Sequence, residues 1–184
     1  MKLTKDKAWE ILNSADEVCS AATVTDAIKR VAGEITAKLA DQQPLVLSVM
    51  GGAVVFTGHL LPQLRFPLDF DYIHVSRYDD ETRGGMINWK VATQENVKGR
   101  VVLVVDDILD EGQTMAAIRS RILAAGARSF YCAVLVEKAI GKDKPIRADF
   151  VGVTVPNRYV FGCGMDAYGA WRNLPAIYAL KQNV

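Results

Sequence analysis

Hydrophobic residues in the first third of the chain follow a helical period and then change to a strand pattern. Apolar residues recur along one helix face at about residues 4–19 and again at about residues 25–39, which predicts two helices. The apolar run at residues 44–50 ends at two glycines and indicates a buried strand followed by a turn. Residues 53–64 then return to a helical pattern.

The middle of the chain alternates strand patterns with one further helix. Apolar and polar residues alternate at residues 67–75 and 87–91, which indicates two half-buried strands. Fully apolar runs at residues 101–106 and 131–137 indicate buried strands, and a helical pattern that includes Met115 lies between them. Strands that alternate with helices predict an α/β fold with a mainly parallel central sheet flanked by helices. Ligands of such folds bind beyond the carboxyl ends of the strands.

The tail from Arg147 onward has a different pattern. Its apolar stretches are short, and aromatic residues cluster towards the C-terminus. We expect this tail to fold over the edge of the sheet as a cap. Because the composition of the 184 residues does not shift along the chain, we predict one domain.

Composition and charge are those of an ordinary globular protein. The formal net charge of +1 gives no reason to expect nucleic acid or an anionic membrane as a partner. The N-terminus alternates charged and apolar residues and lacks the apolar core of a secretory signal, so we expect a cytoplasmic location. The three cysteines Cys19, Cys132 and Cys163 lack CxxC spacing, and we therefore expect reduced thiols rather than disulfides or a zinc site.

The segment 101–115, VVLVVDDILDEGQTM, carries the clearest chemistry. A strand that ends in Asp106 and Asp107 places their carboxylates on opposite faces, so at least one faces the ligand crevice. Gly112 then permits a tight turn into a helix, whose first N–H groups favour a phosphate. The carboxylates suit sugar hydroxyls or a water-bound magnesium ion. The alternative is a solvated acidic turn in which Asp110 caps the helix.

Two acids, two apolar residues, a third acid and Glu-Gly-Gln-Thr form a rare combination. It resembles the phosphoribosyl pyrophosphate (PRPP) motif of type I phosphoribosyltransferases. The segments SVMGGAVVF, LVEK and ADFVGVTVPNRYVFGCGMDAYGAWRNLP extend the resemblance over nearly the whole chain, in the order found in hypoxanthine-guanine phosphoribosyltransferases. The resemblance implies their α/β fold and a single domain at residues 1–184. Its core would span about residues 41–146, and its hood about residues 1–20 and 147–184.

The resemblance also implies a role for each motif residue. PRPP and its 5′-phosphate would contact Asp106, Asp107, Asp110, Glu111, Gly112, Gln113 and Thr114. Pyrophosphate would contact Met50, Gly51, Gly52 and Arg172, and the peptide bond between Val49 and Met50 would be cis. The purine would contact Lys138, Tyr159, Val160 and Asp166. Magnesium would contact Asp106, Asp107 and Asp166, and a lid would include Arg77 and Tyr78.

The reaction implied by the resemblance belongs to purine salvage. It transfers the phosphoribosyl group of PRPP to hypoxanthine or guanine, which yields IMP or GMP and pyrophosphate. Lys138 would contact the purine 6-oxygen, because an ammonium only donates hydrogen bonds and so disfavours the 6-amino group of adenine. Asp110 is the predicted general base. Relatives are commonly dimers or tetramers, so we expect a homo-oligomer.

Several residues depart from the family pattern. Arg77 stands where many relatives have Ser before the lid tyrosine. Met50 and Gln113 stand where some relatives carry a basic residue, and Glu111 adds a negative charge beside the predicted phosphate site. The departure at Arg77 bears on lid closure. For PRPP two outcomes stay open from the sequence: backbone amides suffice for binding, or the affinity is weakened.

Three alternatives remain open from the sequence. An enzyme with the same PRPP site could prefer xanthine; a pyrimidine acceptor is disfavoured by Lys138 and the segment after it. A regulator could bind a nucleotide or RNA on this fold without catalysis, although the intact acidic motif and near-zero net charge oppose it. A receiver-type signalling domain would place its paired acids near the first strand rather than after a later one.

Overall fold

The computed structural model describes residues 3–77, 87–93 and 95–181. Its helices are α1 (Lys5–Ser14), α2 (Ala21–Leu39), α3 (Val54–Leu60) and α4 (Gln113–Ala124). Its strands are β1 (Asp16–Cys19), β2 (Leu45–Met50), β3 (Asp69–Arg77), β4 (Ile87–Val91), β5 (Val101–Leu109), β6 (Ser129–Ala139), β7 (Phe150–Pro156), β8 (Val160–Phe161) and β9 (Ile177–Ala179). Within these ranges, no helix has the length and apolar character that crossing a membrane requires.

The main sheet has six strands in the order β4-β3-β2-β5-β6-β7. β4 pairs antiparallel at one edge, and the other five strands run parallel. The predicted α/β fold with a mainly parallel sheet is therefore confirmed. Because β2, β5 and β6 are parallel neighbours, their carboxyl ends meet at one edge of the sheet.

The two faces of the sheet are covered by different helices. Successive residues of a strand point to opposite faces, so Leu103 and Val105 pack with α2 and α3, whereas Val102 and Val104 pack with α4. Burial on both faces explains why β5 is apolar over most of its length. The predicted apolar face of α4 is confirmed and consists of Met115, Ile118 and Ile122.

The predicted helix at residues 4–19 is wrong beyond Ser14. The Thr4 side chain caps the start of α1, and the helix ends at Ser14. The following residues form β1, which pairs antiparallel with β9 and places Asp16 opposite Ala179. Because this partner lies near the other end of the chain, the local hydrophobic period could not predict the strand.

Local capping explains the bounds of α2 and α3. α2 begins at Ala21, earlier than predicted, because the Ser20 hydroxyl accepts a hydrogen bond from the N–H of Thr23 at 3.2 Å. α3 ends at Leu60 and continues as a 3₁₀ turn over Leu61–Gln63. The predicted helical pattern at 53–64 thus covers both elements.

A second sheet forms the hood. It is antiparallel, with the strand order β1-β9-β8, and therefore joins the N-terminal and C-terminal segments as predicted. Arg158 fastens the two ends, since its Nη2 donates to Oδ2 of Asp16 at 2.6 Å and to the carbonyl oxygen of Leu180 at 2.8 Å.

The predicted boundaries between core and hood need two corrections. The hood does not begin at residue 147, because β7 pairs in parallel with β6 and belongs to the main sheet. The core is not limited to residues 41–146, because α2 covers one face of that sheet. Arg30 of α2 contacts β7 directly, and its Nη2 donates to the carbonyl oxygen of Gly152 at 2.6 Å.

Candidate active site

The two adjacent acids lie inside β5 rather than at its end. The strand continues beyond the predicted end at residue 106 because the ladder with β6 extends to Leu109. Asp106 lies opposite Val134 in that ladder, and only 9% of its surface is exposed. Asp107 is half-buried, and its N–H donates to Oδ1 of Asp106 at 2.9 Å. These carboxylates are therefore part of the sheet and not of a solvated turn.

Burial changes the acidity of both carboxyl groups. Burial and the neighbouring Asp107 charge raise the pKa of Asp106 well above its ordinary value of 3.8. Burial also raises the pKa of Asp107, and the hydrogen bond from Asp106 and the Arg172 guanidinium oppose this rise. A protonated carboxyl can donate as well as accept hydrogen bonds, which suits contacts with hydroxyl groups.

Three segments that are distant in sequence meet around Asp107. A β-carbon added to Gly52 would overlap the Asp107 carboxylate. A β-carbon added to Gly164 would overlap the carbonyl oxygen of Gly52, and the φ of Gly164 is +105°. At Gly164 only glycine permits this close approach, because the overlap is with backbone, whereas a side chain at position 52 would have to displace the Asp107 carboxylate. The predicted pyrophosphate loop therefore touches both the acidic motif and the hood.

The cis peptide bond lies one residue later than the resemblance implied. It joins Met50 to Gly51, so the expectation for Val49 and Met50 is wrong. Val49 and Met50 belong to β2, where they pair with Ile73 and His74 of β3 in a regular parallel register. The irregular backbone begins only after this strand, and it leaves Gly51 exposed at the carboxyl edge of the sheet.

The turn after β5 has the geometry of an anion site. Gly112 has a φ of +79° and precedes α4, whose start has no side-chain cap. The alternative in which Asp110 caps this helix is wrong, because its Oδ2 instead accepts a hydrogen bond from Lys138 Nζ at 2.6 Å. N–H groups in the first turn of a helix have no acceptor within the helix and attract anions. Glu111 and Gln113 are exposed, and Thr114 is half-buried.

A cavity of about 220 Å³ lies beside this turn. Its lining residues are Asp107, Ile108, Asp110, Lys138, Tyr159, Val160, Met165 and Asp166. The structure thus brings together every residue predicted to contact the purine, along with two of the acids. Ile108 and Met165 were not predicted, although each is a sequence neighbour of a predicted residue. From the sequence, an apolar residue at either position is typical of the core. Only the structure shows that both side chains line the cavity.

Lys138 and Asp110 link the ends of β6 and β5 through their side chains. The Lys138 side chain is 12% exposed and that of Asp110 is 43% exposed, so the pair lies at the border between protein and cavity. The cavity therefore offers a donor and an acceptor side by side. A flat ligand with an adjacent acceptor and donor matches this arrangement.

The hood supplies the opposite wall of the cavity. Tyr159 is 47% exposed, and its ring stacks on Tyr168 with 5.8 Å between centroids. Its hydroxyl donates to the carbonyl oxygen of Asp166 at 3.2 Å. Arg172 forms an ion pair with Asp166, and its Nη1 donates to the carbonyl oxygen of Gly164 at 2.6 Å. Arg172 does not line the cavity itself but lies at its rim beside the glycine contacts.

The predicted magnesium ligands do not form one three-carboxylate cluster. Among the described residues, no three His, Cys, Asp or Glu side chains are gathered so that they could hold a metal ion. Asp107 and Asp166 both line the cavity, whereas Asp106 lies behind them and is buried. One or two carboxylates beside a phosphate site fit magnesium, which keeps several waters and shares its coordination with substrate phosphates.

The lid prediction falls largely outside the described residues. Arg77 is the last residue of β3, and Tyr78 is not described. The lid therefore stays a prediction.

Comparisons with known proteins agree with this geometry. A family model described as "Phosphoribosyl transferase domain" matches residues 14–167. A PRPP-type motif at the end of a parallel strand, together with this match, defines a phosphoribosyltransferase domain.

Relatives narrow the assignment. The chain is 34% identical to the hypoxanthine-guanine phosphoribosyltransferase of Streptococcus pneumoniae over 95% of this chain and 94% of the relative. It is 38% identical to the hypoxanthine-guanine-xanthine phosphoribosyltransferase of Tritrichomonas foetus over 85% of this chain and 86% of the relative. A solved structure of a hypoxanthine-guanine-xanthine phosphoribosyltransferase superposes with a TM-score of 0.84 at 32% identity, and covers 92% of this chain and 99% of that one. The chain belongs to the hypoxanthine-guanine phosphoribosyltransferases within the type I phosphoribosyltransferase family.

Proposed function

We propose that this protein transfers the 5-phosphoribosyl group of PRPP to hypoxanthine or guanine and releases pyrophosphate. The observation that carries the proposal is the contact of 2.6 Å between Lys138 Nζ and Asp110 Oδ2 at the wall of the cavity. A 6-oxopurine presents its 6-oxygen, an acceptor, next to a ring nitrogen that can carry a proton. The neighbouring ammonium and carboxylate complement these two groups, whereas the 6-amino group of adenine would face the Lys138 donor.

The hood completes the purine site. Tyr159 offers an exposed aromatic ring for stacking, and Ile108 lies on the β5 side of the same cavity. Val160 also lines this cavity, and its backbone would contact the edge of the base. The role of these residues is to orient the purine ring nitrogen towards the anomeric carbon of PRPP.

The turn after β5 would hold the 5′-phosphate of PRPP. The main-chain amides of the turn and of the first helical turn would bind it, at residues Asp110, Glu111, Gly112, Gln113 and Thr114. Because the Glu111 side chain is exposed, its charge is screened by solvent, and backbone amides supply most of the binding.

The buried acids would hold the ribose. Asp107 lines the cavity and can contact ribose hydroxyls directly, whereas Asp106 supports it through the hydrogen bond to the Asp107 N–H. Positive charge develops on the ribose as the bond to pyrophosphate breaks. Burial raises the pKa of Asp107, Arg172 opposes this rise, and the charge of the ionised carboxylate would stabilise the transition state.

The pyrophosphate would lie between the cis loop and the rim of the hood. The backbone would bind it at Met50, Gly51 and Gly52. Arg172 would give up its ion pair with Asp166 and pair with the pyrophosphate instead. Asp107 and Asp166, which line the cavity, would hold magnesium, and the buried Asp106 would support Asp107. Magnesium would supply positive charge that neutralises the leaving pyrophosphate.

Asp110 would act as the general base. The new bond forms between the purine nitrogen and the anomeric carbon, and the bond from that carbon to the pyrophosphate oxygen breaks. The purine must lose one ring proton in the process. The Asp110 carboxylate stands beside the Lys138 ammonium and can take this proton.

A PRPP-dependent assay with hypoxanthine, guanine, xanthine and adenine tests the proposal. Nucleotide and pyrophosphate should form in equal amounts from hypoxanthine and guanine when magnesium is present. Adenine should give no product, and chelation of magnesium should stop the reaction. Absence of turnover with every 6-oxopurine would overturn the proposal.

Xanthine is the second candidate acceptor. It shares the 6-oxygen and the ring nitrogen that Lys138 and Asp110 would contact, and the Tritrichomonas foetus relative is named for all three bases. The bases differ at the 2-position, which points away from the Lys138 side of the purine. Comparison of kcat/KM among the three bases in the same assay ranks them.

A further inference from the structure

The loop at residues 140–147 crosses the ends of β5 and β6 outside the cavity and carries a buried lysine. The Lys144 side chain is 9% exposed. Its Nζ donates to the carbonyl oxygen of Leu109 at 2.9 Å and to that of Lys138 at 2.7 Å. Its third partner is Oε1 of Glu137 at 3.5 Å. An ammonium has three N–H donors, and three acceptors surround this one.

These contacts link β5 and β6 just beyond the last pair of their backbone ladder. The last register pair of β5 and β6 joins Leu109 to Glu137, and the ladder ends there. The next residues along the two strands are Asp110 and Lys138, whose side chains meet at 2.6 Å. Lys144 binds the carbonyl oxygen that precedes Asp110 and the carbonyl oxygen of Lys138 itself. It therefore ties the two strand ends together beyond the point at which the backbone ladder does so.

The same segment also supports the phosphate turn. A β-carbon placed on Gly112 would lie 3.5 Å from Cβ of Lys144, 3.5 Å from Cδ of Pro145 and 3.4 Å from Cγ2 of Ile146. The stem of Lys144, and not its ammonium, therefore faces Gly112. Removal of the charge alone should thus affect the Asp110 and Lys138 pair more than the phosphate turn.

We infer that Lys144 is a positioning residue that sets the spacing between the Asp110 carboxylate and the Lys138 ammonium. The inference rests on the proposed roles of those two residues in purine binding and proton transfer. Lys144 contacts neither substrate, and it acts through the backbone on either side of the pair. Loss of its ammonium removes one donor from the carbonyl oxygens of Leu109 and Lys138, and the strand ends then rearrange to recover hydrogen bonds.

The variant Lys144→Met tests this inference, because it keeps the apolar stem and removes the donors. A displacement of about 1 Å at a reacting group can cost about 10²-fold in rate, so we expect kcat/KM for hypoxanthine to fall by about 10–10²-fold. The KM for PRPP should change much less. Lys144→Arg keeps the charge and the donors and should recover part of the loss. Lys142→Met, on an exposed residue of the same loop, should have wild-type kinetics.

A double-mutant cycle separates positioning from a general loss of stability. If Lys144 acts through Asp110, the effect of Lys144→Met should shrink in an Asp110→Asn background. Additive effects, or a loss that matches the unfolded fraction at the assay temperature, would overturn the inference. Glu137→Gln weakens only one of the three contacts and should give a smaller loss in the same direction. This milder variant provides the test if Lys144→Met does not fold.

The cycle also distinguishes the inference from the function on which it rests. Wild-type kinetics for Lys144→Met beside a slow Asp110→Asn would refute the role of Lys144 and leave the proposed role of Asp110 intact. Wild-type kinetics for Asp110→Asn would instead refute the proposed general base, and with it the inference.

Discussion

The two walls of the cavity are built in different ways. The sheet wall has Asp107 and Ile108 within the nine-residue strand β5, Asp110 directly after it, and Lys138 on the eleven-residue strand β6. The hood wall places its residues beside the two-residue strand β8 and in the turns that follow. Long buried strands hold groups within narrow limits, whereas short strands and turns open more easily. The residues proposed to react thus lie on the sheet wall, and the aromatic ring proposed to cover the purine lies on the hood wall.

This difference suits a bisubstrate reaction. The proposed base Asp110 and the proposed purine ligand Lys138 would have to meet defined atoms of the purine, and Lys144 contacts the backbone beside both. The ring that stacks on the purine can tolerate a small shift, and the hood must admit and release the base. Substitutions on the sheet wall should therefore act mainly on turnover or specificity, and substitutions on the hood wall mainly on purine affinity.

The largest effect is expected for Asp110→Asn. The amide keeps the shape and cannot take a proton, so kcat should fall by about 10²–10⁴-fold while PRPP still binds. Steady-state kinetics with hypoxanthine measure this change. Asp143→Asn, at an exposed carboxylate on the 140–147 loop, is the matched control and should leave kcat unchanged. An unaltered kcat for Asp110→Asn would remove the proposed base from the sheet wall.

A smaller effect is expected for Lys138→Met. Hydrogen bonds to charged groups contribute about 1.5–3 kcal/mol, so kcat/KM for hypoxanthine should fall by about 10–10²-fold. The KM for PRPP should stay near the wild-type value, because the phosphate turn does not use this side chain. Discrimination against adenine should also weaken, since the donor that faces its amino group is gone. If selectivity against adenine were retained, the 6-oxygen contact would have to be assigned elsewhere.

Tyr159→Ala tests the hood wall. Loss of a stacking ring costs about 0.5–1.5 kcal/mol, so KM for the purine should rise by about 2–10-fold with little change in kcat. Tyr159→Phe keeps the ring and loses only the hydrogen bond to Asp166, and should lie close to the wild type. A large fall in kcat for Tyr159→Ala would contradict the division between the two walls.

The smallest effect concerns the accessibility of the thiols. All three cysteines are free, as expected from the sequence. Burial raises the pKa of Cys132 in β6 to about 12 and that of Cys163 in the hood to about 11, so both resist alkylation in the folded protein. Cys19 is only half-buried and should react first. If the hood opens more readily than the sheet, Cys163 should react before Cys132, as mass spectrometry of a labelling time course can show. The reverse order would contradict the comparison.

The sheet wall could be predicted from the sequence to a greater extent than the hood. An apolar run into paired acids fixes β5 on local grounds, and Gly112 marks the turn after it. β1 could not be found this way, because it depends on pairing with β9 at the other end of the chain. β7 cannot be separated from the hood by its local pattern, because its apolar run resembles those of the hood segments, and only its pairing with β6 assigns it to the main sheet.

Within the site, residue types could be predicted better than their partners. The sequence identified Asp110 and Lys138 separately, and their contact arises only because β5 and β6 are parallel neighbours. The burial of Asp106 follows from the extension of the ladder past the predicted strand end. No sequence motif marks Lys144, and its inferred role could not be predicted, because the three acceptors around its ammonium meet only in the fold.

The most direct test of the two-walled site is a crystal structure with PRPP, magnesium and an unreactive 6-oxopurine analogue bound together. We expect the purine 6-oxygen within hydrogen-bonding distance of Lys138 Nζ, the adjacent ring nitrogen at the Asp110 carboxylate, and the ring face on Tyr159. The 5′-phosphate should lie on the amides before α4. A purine bound outside this cavity, or one that leaves Lys138 and Asp110 paired only with each other, would contradict it.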